Sequence, residues 1–294
     1  MGAALGLAAV ADELGIRVKV IGTPAEEHGG GKVLLLDRGV FKDVTVAMMV
    51  HPGPVDIHPC DCTSQAVTRF AVSYRGRASH AAVAPHLGIN AADATVIAQV
   101  AIGLLRQQIT ADCRIALFVR KGGEVTNIIP EQTIVECEVR AFDSVELEAV
   151  YQRVIACFEA GAHATGAALD VRATEPAYSA LRQDPAIGAY YAANIVGLGR
   201  EPRNDGRQAG GSTDMGNISD VVPSIHPVIA IRGSENVLHT SGFAQDAASP
   251  AADETVVDGA LAMAFTGVDL ALDPNVRTRF IEAHRARLGP TQNR

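Results

Sequence analysis

The chain has 294 residues, a formal charge of −8 and an apolar share of 48%, enough for two domains with full cores. That acidity argues against a nucleic-acid partner and an anionic membrane surface, and no run of eighteen apolar residues marks a membrane span. Aromatics make up only 4% and Trp is absent, so the cores must be built from Ala, Val, Leu and Ile, as in proteins that alternate strand and helix.

Residues 3–14 are small and apolar, carry no basic segment and run into Asp12-Glu13-Leu14-Gly15. They read as a helix closed by Gly15, not as a signal peptide. A strand is expected over 17–23. It leads into Gly22-Thr23-Pro24-Ala25-Glu26-Glu27-His28-Gly29-Gly30-Gly31, a glycine-rich loop with two adjacent carboxylates, followed by a helix over 30–38 that Gly39 ends. Open α/β sheets keep their chemistry at such strand ends. Adjacent side chains on extended backbone point apart, so one glutamate can bind a cation while the other stands beside it as a base. Taken alone, the pair reads more simply as a solvated acidic loop. Thr45–Val50 is an apolar strand that Pro52 and Gly53 stop, which puts His51 at the same sheet edge.

From residue 63 the pattern changes. Val67–Tyr74 alternates as a strand, and Asn90–Ile109 is an Ala-rich helix with apolar residues near Ile89, Val96, Val100 and Leu104. Ile115–Val119 and Thr133–Ala141 are strands, the latter with Val135, Cys137 and Val139 on one face. Asp143 and Glu146 form a capping box for a helix carrying Leu147, Val150, Val154, Cys157, Phe158 and Gly161. Leu169–Ala173 is a last strand. The order β-α-β-β-α-β is the ferredoxin-like split unit.

After Glu175-Pro176 the first pattern resumes. A helix is expected over 184–198, a glycine turn at Gly210-Gly211-Ser212-Thr213-Asp214, a strand at Val228–Ile231, a polar loop holding His239, a helix from Asp253 to Leu270, and a frayed or helical tail from Arg277 to Arg294. Asp214 reads most simply as a helix-start residue, and His226, between Ile225 and Pro227, as core or pocket wall. Cys60, Cys62, Cys113, Cys137 and Cys157 are scattered, with no second pair to make a zinc knuckle, and fit a reduced cytoplasmic setting.

Six runs, GTPAEEHGGG, MMVHPGP, GRASHAA, TNIIPE, GGSTDMGNISDVVPSIHP and LHT, stand together in that order. With them the chain resembles the zinc aminoacylase/carboxypeptidase family of metallopeptidases, in its amidohydrolase branch. The resemblance implies a phosphorylase/hydrolase-like α/β catalytic domain (1–62 plus 176–294) with an inserted ferredoxin-like α+β dimerisation and lid domain (63–175). It implies hydrolysis of an N-acyl amino acid or dipeptide by a homodimer using two zinc ions, with manganese or cobalt as other candidates. Glu26 would be the general base, Glu27, His51 and His239 metal ligands, His80 the residue that polarises the scissile carbonyl across a dimer interface, and Asn127 a substrate contact. Read without the resemblance, His80 is equally a capping residue of a small-residue turn, and Asn127 a strand terminator.

The family also carries an N-terminal part with a Cys-Gly-His-Asp type motif that supplies further ligands, and no such motif occurs here. Two expectations follow: an incomplete but hydrolytic catalytic domain, or a catalytically impaired, dimerising binding protein.

Overall fold

A computed structural model describes residues 1–203 and 211–289. In chain order the helices are α1 (Gly2–Ala8), α2 (Ala11–Leu14), α3 (Gly31–Asp37), α4 (Ala91–Leu105), α5 (Ser144–Thr165), α6 (Pro185–Gly197), α7 (Met215–Ser219), α8 (Ser241–Asp246), α9 (Pro250–Leu272) and α10 (Pro274–Leu288). The strands are β1 (Ala47–Met48), β2 (His51–Gly53), β3 (Ala66–Arg75), β4 (Arg114–Lys121), β5 (Gln132–Ala141), β6 (Ala168–Ala173), β7 (Ser224–Ile225) and β8 (Val228–Ala230). They divide into two compact units, one of residues 1–26, 31–64 and 181–294, the other of 27–30 and 65–180.

In the first unit β1 pairs with β7 and β2 with β8, both parallel. These are two stretches of one run, bridged by hydrogen bonds from Met49 N–H to Ile225 O and from His51 N–H to Pro227 O. The ladder is interrupted where Pro227 has no N–H to give. So the strand expected to stop at Pro52 continues through Gly53, and His51 opens the second stretch instead of closing the first. The strand expected over 17–23 finds no ladder partner among the described residues. The expected first helix breaks into α1 and α2, with Gly15 at φ 60° as its stop.

One core of this unit gathers Ile187, Tyr191, Ile195, Ile225, Ile229 and Ala262, and another Phe41, Leu181, Met215, Ile218 and Val222. Helix α9 is long and apolar enough to cross a membrane by length and composition, yet Ala262 and Thr266 are fully buried against the rest of the unit. The buried guanidinium of Arg200 ties the unit together, reaching Asp56, Asp258, Thr255 and the carbonyl of Ala230 on β8. Gly210 and residues 290–294, included in the expected turn and tail, lie outside the described residues; Gly211–Asp214 leads into α7, and Arg277 begins the helical tail within α10.

The second unit is a four-stranded antiparallel sheet in the order β4-β5-β3-β6. With α4 and α5 as its crossovers, this is the ferredoxin-like arrangement. Its core is formed by alternate residues of β3 and β5 (Phe70, Val72, Val135, Val139) against Val154 and Phe158 of α5. Asp143 caps α5 by accepting from the N–H groups of Val145 and Glu146. The Glu146 carboxylate does not complete the box in the expected way: it accepts from the Thr110 hydroxyl.

Helix α4 turns its larger apolar residues outward. Val96, Val100 and Leu104 are 56%, 60% and 69% exposed, while Ala91, Ala94, Ala98 and Ile102 are buried. Small residues face inward because α4 lies close on α5: a Cβ on Gly161 would stand 2.3 Å from the carbonyl oxygen of Ala94.

Candidate active site

The two glutamates do not sit on extended backbone. Residues 26–29 form a turn entered through Ala25 at φ 63°. Glu26, half-buried, belongs to the first unit, and Glu27, exposed, to the second. The glycines that follow are dictated by space. A Cβ on Gly31 would lie 1.8 Å from the carbonyl oxygen of Pro24, and Gly30, at φ 59°, packs on Pro176 and Tyr178.

Within the second unit, Glu27–Gly30 is held by side chains from the far end of that unit. Gly29 N–H donates to the Glu175 carboxylate at 2.8 Å, and Gly30 N–H donates to the Tyr178 hydroxyl at 3.0 Å. Glu175 is paired in turn with Arg69, which also binds Glu138 at 2.6 Å. Burial alone would raise the Glu175 pKa, but the Gly29 N–H and the Arg69 guanidinium outweigh it and hold the carboxyl below its usual range.

The second unit also brings His80 and Asn127 together. Ala81 N–H donates to Asn127 O and Ile129 N–H to Ser79 O, each at 2.9 Å, and His80 bridges Ile128. His80 Nδ1 accepts from the N–H groups of Ala82 and Val83, at 3.3 and 3.2 Å. The ring thus caps its own turn, and with Nδ1 committed as acceptor its proton stands on Nε2. Capping and chemistry are compatible here, because the cap presents an exposed N–H donor of fixed tautomer.

In the first unit His51 donates from Nδ1 to the carbonyl of Pro52 at 2.6 Å, which fixes the orientation of the ring. His226 lies beside it, with ring centres 5.8 Å apart. Its backbone N–H is fixed by Gln183 Oε1 at 2.7 Å, and its ring is 4% exposed with neither nitrogen hydrogen-bonded. Burial, with His51 and Lys32 adding to it, pushes the His226 pKa down to about 3, so the ring is neutral near pH 7. His239 stands at φ 64°, just before Thr240, whose side chain caps α8.

Two functional-looking features were not legible in the sequence. Lys32, on α3, is 1% exposed and Asp214 fully buried; they pair at 2.7 Å, and Asp214 also accepts the N–H of Lys32 at 2.8 Å. Asp214 occupies the N-cap position of α7 yet makes no cap bond there, and caps α3 instead. The pairing of Glu175 and Tyr178 with the loop backbone is likewise non-local. Only His226, enclosed by Ile225 and Pro227, gave a local hint.

A family profile described as a peptidase dimerisation domain matches residues 65–165. Over 280 residues the chain is 36% identical to the Xaa-Arg dipeptidase of Mus musculus, covering 92% of this chain and 64% of that protein. Residues 65–165 thus match the M20 peptidase dimerisation domain, and over most of its length the chain is similar to M20 peptidases and amidohydrolases. It spans less than two thirds of that relative's length. An aminobenzoyl-glutamate utilization protein of Klebsiella pneumoniae shares the fold, with TM-score 0.67, 20% identity and coverage of 92% of this chain and 67% of that one. So does the YXEP protein of Bacillus subtilis, described as a dinuclear metal binding peptidase, with TM-score 0.63, 20% identity and coverage of 90% and 70%.

Measured against that family, the donor set of this chain is open. Among the described residues no group of three or more His, Cys, Asp and Glu side chains stands ready to hold an ion. What suits a divalent cation is the pair of adjacent imidazoles, His51 with its Nδ1 held on a backbone carbonyl and His226 with two unpaired nitrogens.

Proposed function

We propose that this chain is a metal-dependent amidohydrolase that cleaves the amide bond of an N-acyl amino acid or a dipeptide. What carries the reading is stored backbone strain. Among the described residues the only non-glycine positions at positive φ are Ala25, directly before Glu26, and His239. A left-handed conformation costs such residues about 1–3 kcal/mol and persists where function requires it. Both lie in loops that the family motifs single out.

Glu26, half-buried at the turn, takes a proton from the attacking water and returns it to the leaving nitrogen. His80 offers its Nε2–H to the oxygen on which negative charge develops, and Asn127 on the adjoining stretch contacts the substrate. Glu27, His51 and His239 are the proposed metal donors. A bound divalent cation, zinc with manganese or cobalt as alternatives, supplies Lewis acidity and an acidified water. The proposed assembly is a homodimer through the second unit, where Val96, Val100 and Leu104 leave an apolar stripe exposed.

The test is hydrolysis by the full chain, supplied with each metal, of N-acyl amino acids, Xaa-Arg dipeptides and p-aminobenzoyl-glutamate. Glu26→Gln should lower kcat by about 10²–10⁴-fold, the usual weight of a general base. A chain that turns over none of these overturns the reading. The open donor set favours a second reading, a dimeric protein that binds such ligands without turnover; it would give saturable ligand binding with no product.

A further inference from the structure

The ring of His226 is the most anomalous polar group of the first unit. Buried side-chain nitrogens are almost always hydrogen-bonded, because water has been removed and nothing else compensates. Here both ring nitrogens are unpaired, although the residue is otherwise held firmly: its N–H by Gln183, and its carbonyl by the Cys62 thiol at 3.8 Å. Gln183 also donates to Cys62 O at 2.7 Å, closing a small brace around the residue. The scaffold fixes the ring in place without satisfying it. That is the condition of a ligand site, not of a core side chain.

The neighbour of this ring is His51. The two come from adjacent parallel stretches, His51 pairing with Val228 two residues beyond His226. Zinc–imidazole bonds are about 2.0–2.1 Å, so two rings sharing one ion have centres roughly 4.5–6.4 Å apart. The observed separation is 5.8 Å, with the ring planes inclined by 42°. His51 already has its Nδ1–H committed to the backbone carbonyl of Pro52, the second hydrogen bond that orients a ligating imidazole and leaves Nε2 for the ion.

We propose that His226 is a metal ligand, the second imidazole on a divalent transition-metal ion held by His51. This rests on the reading of His51 as a metal donor given above. The remaining positions on the ion are open, as suits a site that binds water or substrate and not a closed structural one. Imidazole donors favour zinc, cobalt, nickel and copper over calcium or magnesium. Asp214, paired with Lys32 at 2.7 Å, offsets part of that lysine's repulsion of an ion here.

The experiment uses the full chain stripped of metal and titrated with Zn²⁺ against a chromophoric chelator, with X-ray absorption on the zinc-loaded protein to count imidazoles. The expected result is tight binding with two imidazole ligands. His226→Gln should lose one imidazole and weaken zinc binding by more than the roughly 10–100-fold that a hydrogen-bond partner of a ligand contributes. His226→Phe guards against misfolding. It removes the unpaired nitrogens, so the metal-free variant should resist urea at least as well as the parent while its stabilisation by zinc disappears. If the parent binds zinc and both variants bind it equally, His226 is no ligand and the metal reading of His51 survives. If the parent binds no zinc, both fall.

Discussion

The Lys32–Asp214 pair allows a quantitative test. Both side chains are out of water, at 1% and 0% exposure, and Asp214 accepts two hydrogen bonds, from Lys32 Nζ at 2.7 Å and from Lys32 N–H at 2.8 Å. Asp214→Asn keeps an acceptor for the backbone N–H but strands a buried ammonium. Breaking one side of a buried ion pair costs about 3–5 kcal/mol. Lys32→Met removes the charge on the other side. The carboxylate then retains the α3 N-terminus, so the loss should sit at the lower end of that range. The double variant strands nothing and should come within about 1 kcal/mol of the parent, since a buried pair replaced by neutral groups is often close to neutral. The coupling energy, the two single losses less that of the double, is then about 5 kcal/mol or more. With a urea m-value of about 2 kcal/mol/M, each single variant should move the midpoint down by about 1.5 M, and the double should restore it. Urea unfolding followed by circular dichroism, with hydrogen exchange of the 31–37 amides to isolate the first unit, reads this directly. Additive losses, or singles costing less than about 1 kcal/mol, would show that the two charges are solvated in solution and would refute the argument.

Three further outcomes follow from the same geometry. Burial opposes ionisation of Glu138 and Glu175, but hydrogen bonds and charge from Arg69, with Arg140 on Glu138 and Gly29 N–H on Glu175, hold both below the ordinary 4.5. Carboxyls lowered in this way stabilise the fold above the ordinary value and lose that contribution as pH falls through the lowered ones, so the gap between the parent and Arg69→Gln in unfolding experiments should shrink in acid; a gap that persists would exclude the ion pairs as its source. If the exposed stripe of α4 is the dimer contact, Val100→Asp and Leu104→Lys should convert the protein to monomer by light scattering with its helix content intact, and a dimer that survives both places the contact elsewhere. Cys62 and Cys137 are buried, with burial pushing their thiols up to about 11 and 12, whereas Cys60 is exposed, so alkylation near neutral pH should mark Cys60 first and spare the other two until unfolding.

What could be read in advance depended on how local each constraint is. The second unit was legible because its information lies within each element: β5 alternates with period two since one face is buried, and Asp143 signals the start of α5 through its own turn. The buried face of α4 was not legible for a related reason. Hydrophobicity points to its largest apolar residues, but the buried side of a helix packed close on another is chosen for small size, so alanines went inward and Val96, Val100 and Leu104 outward. The first unit was less legible because its short strands exist through distant partners. Met48 pairs with Ile225, and the interruption beside them comes from a proline on the partner stretch. The candidate site follows the same rule. His80 and Asn127 were named only by the resemblance, because the bridge that joins their stretches links residues far apart in the chain, and a buried lysine on α3 cannot be distinguished in sequence from a solvated one. Its partner, Asp214, had every local mark of a cap for the helix it begins. The site motifs therefore nominate the residues proposed to bear chemistry, while the bracing contacts around them, Asp214 on α3, Glu175 and Tyr178 on the Glu27–Gly30 turn and Gln183 on His226, are non-local pairings that no motif spells out. Substitutions at those braces should then change how precisely the site is held before they change which groups it contains.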